Sequence, residues 1–344
     1  MPELVHKLAD LTALRDRDAL DMALVRAINE LLLPQTVAIC RVVGEDGQEH
    51  WLTCAQLHAH QLTPTFDSAW SKLDWLPRLS EHPLRVQALA ARQLVQTRNA
   101  HACLTIFPLT GNPGSIGVLE IGSDEPLSKE TCRLVSGVLR LYLNFQSVLD
   151  YGERDALTDL LNRKTFDGAF LKATLEQSLA VKTAQDDRRD ITCTGSYWLA
   201  MIDIDHFKRV NDNFGHLIGD EVLLLLAQLM RASFRFHDQL YRFGGEEFVV
   251  LMRCNSELEA ASALERLRVA TETHLFPQVG CITISTGFSE IKPGDTPSGA
   301  FERADKAVYY AKAHGRNQVC SYAALVASGE LIDHTANMGD MELF

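Results

Sequence analysis

The feature that most constrains this chain is a pair of adjacent glycines between two strand-like runs, in the segment RFHDQLYRFGGEEF. Gly244 and Gly245 predict a tight hairpin turn, and two acids, Glu246 and Glu247, follow at its exit. Glycines let a nucleotide approach the backbone closely, because no Cβ stands in the way. Adjacent carboxylates on a rigid hairpin can bind a hard cation and accept a proton. The sequence therefore points to chemistry at this turn.

Length and composition predict two folded domains. A chain of 344 residues corresponds to two domains of roughly 150 residues each, and 46% hydrophobic residues suffice for packed cores. The net charge of -12 argues against a nucleic-acid surface, which needs clustered Lys and Arg. A nucleotide pocket stays possible, because a metal ion and a few local cations can offset phosphate charge.

The sequence also predicts a cytoplasmic protein. The N-terminal segment is charged and amphipathic, unlike a signal peptide, and no run reaches the roughly 18 apolar residues of a membrane span. The eight cysteines show no CxxC spacing and fall mostly in apolar runs, which indicates reduced core residues. A metal or haem ligand set could be drawn from Cys54, His58, His60 and Cys103, but their spacing favours packing or surface roles.

The first half predicts an α+β domain with an antiparallel sheet. Apolar spacing indicates an amphipathic helix to about residue 33, strands at 37–43 and 51–55, and a hairpin of 103–109 with 115–121. Ser128 is a good N-cap for a long helix that runs toward Arg154. A heptad seam on that helix either pairs with a second copy or faces the core; its members are Leu134, Val138, Leu141, Phe145 and Val148.

The second half alternates strands and helices, which predicts an α/β layer on a mixed sheet. We place the domain boundary in Asp155–Asp167 and a loop at Thr183–Thr194. The predicted elements are a buried strand 197–204, a helix 206–213, a helix opening at Gly219, the Gly-Gly hairpin, a helix 258–274, a strand 281–288 and a helix 299–314.

Several side chains fit a nucleotide site. Asp203 and Asp205 end the buried strand, where open sheets bind ligands, and Glu246 is a second Mg²⁺ ligand if the hairpin lies beside that strand. Phosphates could be held by Lys208, Lys312 and Arg316, and a guanine edge could be recognised by Asn211 and Asp220. Arg235 and Asp238 share a helical face if the helix continues that far.

These motifs, taken in order, resemble the GGDEF domain of diguanylate cyclases in its GGEEF variant. The resemblance spans about Asp155 to Tyr322 and rests on DALTDLLNR, MIDIDHFKRVNDNFGHLIGDEVL, RFHDQLYRFGGEEF, ITISTGF and ADKAVYYAKAHGRNQV. It implies a nucleotide-cyclase-like mixed sheet surrounded by helices, and condensation of two GTP into cyclic di-GMP and two pyrophosphates. Because the product is two-fold symmetric, two domains must face each other in a homodimer.

The resemblance also implies roles for individual residues. Asp203, Glu246 and the carbonyl of Ile204 would bind Mg²⁺ or Mn²⁺, while either glutamate of the turn, Glu247 first, would deprotonate the ribose 3′-hydroxyl with Lys208 assisting catalysis. Arg235 and Asp238 match an inhibitory site for cyclic di-GMP, which Arg266 could complete from a neighbouring domain. The implied GTP contacts are Phe207, Asn211, His216, Asp220, Gly244, Gly245, Lys312 and Arg316.

The N-terminal part resembles a GAF-type sensory domain, chiefly through TIFPLTGNPGSIGVLEIG and the long helix that follows. We therefore predict a GAF-like sensory and dimerisation domain at 1–150, including the linking helix from about 128, a GGDEF domain at 151–325 and a tail at 326–344. A signal-regulated diguanylate cyclase is the leading hypothesis. The alternatives are a non-catalytic cyclic di-GMP receptor and a cyclase that selects ATP.

Overall fold

The computed structural model describes residues 13–14, 16–44, 47–67, 73–98, 102–111, 116–186 and 195–332. The chain divides into two compact units, Met1–Gly152 and Glu153–Phe344. Among the helices of the described ranges, we find none with the length and apolar character needed to cross a bilayer.

The first unit is built on a five-stranded antiparallel sheet with the strand order β2-β1-β5-β4-β3. Its strands are β1 (Thr36–Val43), β2 (His50–His58), β3 (Val95–Arg98), β4 (Cys103–Leu109) and β5 (Gly117–Ser123). Its helices are α1 (Arg17–Leu32), α2 (Pro83–Ala91) and α3 (Lys129–Glu153), with 3-10 turns at Leu73–Trp75 and Leu79–Glu81. The α+β prediction for this half is confirmed.

The two faces of this sheet carry separate cores. Helices α1 and α3 cover one face, where Leu24, Ile39 and Val135 are fully buried, and α2 lies with Trp51 and Ala88 on the other. The alternation of inward and outward side chains along the strands makes this division possible. The sheet is therefore buried on both sides, with β3 at one edge.

Helix α3 begins as the sequence predicts. The Thr131 N–H donates to Ser128 Oγ at 3.1 Å, which satisfies one of the free donors of the first turn. The core-facing alternative for its heptad seam is wrong for most members, because Leu134, Leu141 and Val148 are 38%, 52% and 65% exposed while Val138 is buried. The side chains that do face the core lie on a neighbouring stripe: Val135, Leu139, Tyr142 and Leu149.

The second unit is a six-stranded mixed sheet with the order β11-β10-β7-β9-β8-β6. Its strands are β6 (Leu161–Asn162), β7 (Ser196–Ile204), β8 (Gln239–Gly244), β9 (Glu247–Cys254), β10 (Ile284–Glu290) and β11 (Val319–Ser321). Its helices are α4 (Arg163–Asp186), α5 (Phe207–Phe214), α6 (His216–Ser233), α7 (Glu257–Thr273), α8 (Pro297–Ala313) and α9 (Tyr322–Ala327). The parallel pairs are β6 with β8 and β10 with β11.

Strand β7 is the buried strand that its apolar run predicts. Residues Tyr197 to Ala200 and Ile202 to Ile204 are buried, because helices cover both faces of the sheet. Side chains of α6 and α7 pack with β7 and β10 in the larger core, for example Leu226, Leu264 and Phe288. This packing fixes the end of β7, where the candidate site lies.

Three elements of this unit differ from the sequence predictions. Residues 183–186, predicted as loop, continue helix α4, because charge alone does not disfavour a helix rich in Ala, Lys and Gln. Helix α6 begins at His216 rather than at Gly219. The helix ends at Ser233, so Arg235 and Asp238 share no helical face; they lie in a turn where the Asp238 N–H donates to Arg235 O at 3.0 Å.

Some predictions lie outside the described residues: the first turns of the N-terminal helix with Leu4, Leu8 and Leu11, the Asn112-Pro113-Gly114 turn, and residues 187–194 of the predicted loop. The strand predicted at 281–288 runs instead from Ile284 to Glu290. Seven cysteines are free thiols, and all of these are buried or half-buried except Cys281, which is exposed.

Candidate active site

The Gly-Gly turn is a tight hairpin between β8 and β9. Gly244 pairs with Glu247 across the turn, and the φ angles of Gly244 and Gly245 are +140° and +55°, which an L side chain rarely adopts. Apart from the glycine itself and its two chain neighbours, no atom of the described residues lies within 4 Å of the position that a Cβ would take on either glycine. The backbone of the turn is therefore open to a flat ligand.

Strand pairing brings the acids of the turn to the end of β7. Asp203 and Glu247 are direct partners across the β7–β9 ladder, so their side chains leave the same face of the sheet. Glu246 occupies the turn next to them and is half-buried, while Glu247 is exposed. The hairpin thus lies beside the buried strand. This is the condition under which the sequence predicts Glu246 as a second Mg²⁺ ligand with Asp203.

Lys312 supplies the cation of this cluster from the last turn of α8. Its Nζ lies 2.7 Å from Asp203 Oδ1, an oxygen that is otherwise buried without a hydrogen-bond partner among the described residues. Burial raises the pKa of Asp203, and Glu247 adds to this rise, while Lys312 opposes it. Burial and the Asp203 carboxylate likewise raise the pKa of Glu246. The carboxylates of these three acids repel one another, and a further cation beside them would reduce that repulsion.

Arg242 links the Gly-Gly turn to Asp155. Its Nε and Nη2 donate to the Gly245 carbonyl at 3.2 and 3.0 Å, and its Nη1 donates to both oxygens of Asp155 at 3.0 and 3.2 Å. Burial opposes ionisation of Asp155, but hydrogen bonds from Thr158 and Arg242 lower its pKa overall. A charged, multidentate contact of this kind orients a turn strongly. Sequence reasoning missed Arg242, although it stands two residues before the glycines.

Asn211 sits on α5 against α6. A Cβ on Gly219 would lie 2.0 Å from Asn211 Oδ1 and 3.3 Å from the Phe207 ring. Glycine at 219 therefore makes room for the Asn211 side chain. Asp220 and His216 are exposed on the first turns of α6, whereas Phe207 is 5% exposed and belongs to the core.

Lys208 and Arg316 are exposed, on α5 and just after α8. Arg316 and Asn317 have φ angles of +62° and +45°, which are unusual for residues other than glycine. Neither cation has a described ion pair, unlike Lys312.

Asp205 has a role that the sequence did not reveal. Its carboxylate accepts hydrogen bonds from Thr283 Oγ1 and Ser285 Oγ, both at 2.7 Å, and from the Asn317 N–H at 3.0 Å. These bonds tie the end of β7 to β10 and to the segment that carries Arg316. Asp205 is thus a satisfied buried carboxylate that holds the loop, not a free ligand.

A second polar cluster lies beyond the end of α6. Asp238 Oδ2 accepts the Arg235 N–H at 2.9 Å, and the Arg235 guanidinium contacts Glu259 at 3.0 Å. Arg266 donates to Ser233 O at 3.2 and 2.7 Å and adds positive potential at Asp238. Burial raises the pKa of Asp238 to about 6. The three residues predicted for an inhibitory site are therefore neighbours within one chain.

A preformed site made of three or more acidic, His or Cys side chains is absent from the described residues. This includes the possible set of Cys54, His58, His60 and Cys103, in which both histidines are exposed and Cys103 is buried.

Comparison with known proteins assigns the second unit to a family. Residues 153–318 match the family model described as "Diguanylate cyclase, GGDEF domain". The chain therefore carries a GGDEF domain, and the resemblance that its motifs indicate is confirmed.

Curated relatives carry the same activity name. The chain is 40% identical over 178 residues to diguanylate cyclase DgcP of Pseudomonas aeruginosa, across 51% of this chain and 25% of the relative. It is 39% identical over 165 residues to diguanylate cyclase DgcS of Shewanella oneidensis, across 47% of this chain and 50% of the relative. The chain thus spans a quarter to a half of the length of these relatives.

Two solved structures show sequence similarity to about half of this chain. The GGDEF domain of DgcB from Caulobacter crescentus, in complex with c-di-GMP, is 33% identical, with 50% of this chain and 96% of that chain covered and a TM-score of 0.44. The active GGEEF domain of a diguanylate cyclase from Vibrio cholerae is 32% identical, with 47% and 97% covered and a TM-score of 0.41.

Proposed function

We propose that this chain is a diguanylate cyclase that condenses two GTP into cyclic di-GMP and two pyrophosphates. One observation carries the proposal: the β7–β9 pairing sets Asp203, Glu246 and Glu247 around an open Gly-Gly turn, with Lys312 facing them. This is an acidic cluster with a cation beside a surface on which a nucleotide can lie. The GGDEF family and the names of the curated relatives support the same chemistry.

A divalent ion, Mg²⁺ or Mn²⁺, fits the acidic cluster. Asp203 keeps a buried oxygen whose only described partner is Lys312, and burial and mutual repulsion raise the pKa of both Asp203 and Glu246. Asp203, Glu246 and the carbonyl of Ile204 would hold the ion. When bound, it would neutralise the charge that grows on the phosphoryl oxygens and the leaving pyrophosphate.

The protein's own side chains position the substrate and move the proton. Lys312, Lys208 and Arg316 hold the phosphates, while Asn211 and Asp220 hydrogen-bond the guanine edge. Glu247, exposed at the start of β9, accepts the proton of the ribose 3′-hydroxyl as that oxygen attacks the α-phosphorus of the other GTP. Most of the rate gain then comes from orientation and charge stabilisation.

The product requires two active sites that face each other, because each GTP supplies a nucleophile to the other. We propose a homodimer, with a GAF-like sensory domain at 1–150, the GGDEF domain at 151–325 and a tail at 326–344. The exposed members of the α3 seam support pairing of the linking helix. Because GTP is an intracellular metabolite, a cytoplasmic location follows from this activity.

We further propose that cyclic di-GMP inhibits the enzyme at the cluster of Arg235, Asp238 and Arg266. Two guanidinium groups next to a buried carboxylate can bind a phosphate and a guanine together. Arg235→Ala should weaken cyclic di-GMP binding and leave the enzyme active at high product concentration. Unchanged inhibition of this variant would reject the site.

The activity is tested by incubating the purified full chain with GTP and Mg²⁺ and separating the nucleotides by chromatography. We expect cyclic di-GMP from the natural chain and none from Glu246→Gln, while Glu302→Gln, which alters an exposed surface pair on α8, keeps full activity. No cyclic dinucleotide from a dimer freed of bound product would refute the proposal. Conversion of ATP in preference to GTP would replace it with an adenylate-type cyclase, and tight cyclic di-GMP binding without turnover would indicate a receptor.

A further inference from the structure

The first unit contains a groove that the proposed catalytic function does not use. Two adjoining cavities of about 630 and 650 Å³ lie along α3 beside β3 and β4. They share Leu94 and Arg140 in their walls, so they lie side by side along α3, and we call the two together the groove. Volumes of this size suit a small organic molecule.

The groove is positively charged on a chain whose net charge is -12. Its walls carry Arg92 and Arg140 in one cavity and Lys129, Arg133 and again Arg140 in the other. Among the described lining residues, Asp150 is the sole acid, and it is already ion-paired with Arg17. The unbalanced charge favours an anion in the groove.

Gln146 is the residue that most clearly calls for a ligand. It lines the 630 Å³ cavity with Arg140, is 2% exposed, and its amide nitrogen has no hydrogen-bond partner among the described residues. A buried donor without a partner costs about 1–3 kcal/mol. An oxygen of a bound anion could accept a hydrogen bond from the Gln146 amide and so remove this cost. The exposed arginines of the groove would not by themselves indicate a ligand.

The rest of the lining is apolar. Phe107 and Leu139 are 2% and 4% exposed at the base of the groove, and Leu94 is 42% exposed at its side. An inorganic ion would leave these surfaces wet, whereas a hydrocarbon body would cover them at about 25 cal/mol per Å² of apolar area. The lining therefore favours an anion with an organic body.

We propose that this groove binds a small organic anion, a carboxylate or a phosphate monoester, whose charged group meets Arg92, Arg140 and the Gln146 amide while its apolar body rests on Phe107, Leu139 and Leu94. Guanidinium pairs recognise both kinds of head group. The chemistry shared by the two is a singly or doubly charged oxyanion on a hydrocarbon frame.

The position of the groove on α3 suggests how a bound ligand would change the activity of the protein. This inference rests on the proposed cyclase activity. At 100° per residue, α3 presents three separate faces: a core face, the exposed seam of Leu134, Leu141 and Val148, and the groove face around Arg140. A ligand in the groove contacts the helix that carries the dimer seam and that runs in sequence directly into the GGDEF domain. Binding should therefore change cyclase activity.

The test is isothermal titration calorimetry on the full chain, with benzoate, phenyl phosphate, inorganic phosphate and the neutral cyclohexanol as probes. We expect saturable binding of benzoate or phenyl phosphate, weaker binding of inorganic phosphate and none of cyclohexanol. Arg140→Gln should raise Kd at least tenfold, and Gln146→Leu, which keeps the volume of the side chain, should raise it several-fold. Arg26→Gln, an exposed arginine of α1 outside the groove, should bind as the natural chain does.

All variants are checked by thermal unfolding, so that loss of binding is not loss of fold. The titrations are repeated in Glu246→Gln, where binding must persist even without turnover; the binding result thus stands or falls independently of the cyclase proposal. Absence of saturable binding by both organic probes would overturn the inference. Equal affinity in the natural chain and in both groove variants would also overturn it, as would inorganic phosphate binding as tightly as the organic anions.

Discussion

At the scale of single residues, two features shape the candidate site: several carboxylates lie close together, and a glycine leaves room for a neighbouring side chain. Lys312 pairs with Asp203 and offsets the charge of Glu246, while burial raises the pKa of both of these acids. Gly219 has the opposite task, because it provides the volume that the Asn211 amide fills. A substitution at Gly219 should therefore affect mainly the binding of GTP, whereas a substitution among the acids should affect mainly catalysis.

Gly219→Ala should raise the KM for GTP several-fold with a smaller effect on kcat. The new methyl would meet Asn211 Oδ1 at 2.0 Å and displace the amide from its seat, and one neutral hydrogen bond contributes about 0.5–1.5 kcal/mol. Steady-state kinetics measures the effect. Gly168→Ala on α4, where nothing lies within 4 Å of the added methyl, is the control. A natural KM for GTP in Gly219→Ala would contradict a role for Asn211 in guanine recognition.

Product binding should weaken as the pH falls through about 6. Burial raises the pKa of Asp238 to about 6, so its carboxylate is available as an acceptor above that pH and carries a proton below it. Arg235, Arg253 and Arg266 oppose this rise in the pKa of Asp238. Burial lowers the pKa of neighbouring His237 to about 4, so that ring stays neutral at pH 5 to 7.

Calorimetry of cyclic di-GMP with the Glu246→Gln chain measures this dependence, and we expect Kd to rise about tenfold from pH 7 to pH 5. Asp238→Asn should remove the pH dependence. A constant Kd between pH 5 and 7.5 would refute the assignment. The raised pKa also means that the folded state keeps a proton that the unfolded chain loses between about pH 4 and 6. The contribution of Asp238 to stability therefore falls as the pH rises across that window.

At the scale of elements, the site depends on two anchors. Arg242 joins the Gly-Gly turn to Asp155, and Asp205 joins the end of β7 to β10 and to the loop of Arg316. Both anchors link segments far apart in the chain, and both are made by charged side chains with several hydrogen bonds. Such bonds are worth about 1.5–3 kcal/mol each when one partner is charged.

Arg242→Lys should lower kcat by about tenfold or more while the chain remains folded. A lysine keeps the charge but cannot hold the Gly245 carbonyl and the Asp155 carboxylate at once, because it lacks the planar fork of donors. Asp155→Asn is the matched variant: it keeps the contact with Gly245 and should lose less activity. Turnover of GTP and thermal unfolding are measured for both. Equal kcat for Arg242→Lys and the natural chain would show that the anchor has no catalytic effect.

At the scale of the whole molecule, the proposed condensation of two GTP requires two copies of the chain. Helix α3 exposes Leu134, Leu141 and Val148 at intervals of seven residues, which is the repeat of a two-stranded seam. A buried leucine pair is worth about 1.5–3 kcal/mol per side chain, so this stripe can contribute substantially to a dimer.

Leu141→Glu should therefore shift the chain toward monomers and reduce turnover most at low protein concentration. Sedimentation velocity gives the oligomeric state, and activity is measured over a range of concentrations. Leu62→Glu, at a leucine that is 94% exposed in the first unit, is the control and should leave both unchanged. A Leu141→Glu chain that dimerises as strongly as the natural one would exclude the seam from the interface.

The sequence by itself determined the classes of both halves, most helices and strands, the Gly-Gly turn and the presence of a GGDEF domain. These follow from local signals, since apolar periodicity and glycine placement act within a few residues. It failed where the outcome depended on distant partners. It left open whether the helix continues to Arg235 and Asp238, and it gave no sign that Asp205 accepts hydrogen bonds from Thr283, Ser285 and Asn317.

Only the tertiary structure decided which carboxylates are free and which are used to hold the fold. The register of β7 against β9 set Asp203 opposite Glu247, and the last turn of α8 brought Lys312 to Asp203. The packing of the first unit buried the Gln146 amide nitrogen with no hydrogen-bond partner among the described residues. Hydrogen bonding and burial depend on atoms brought together from across the chain. The local sequence therefore names candidate residues, and the three-dimensional arrangement decides which of them lie together.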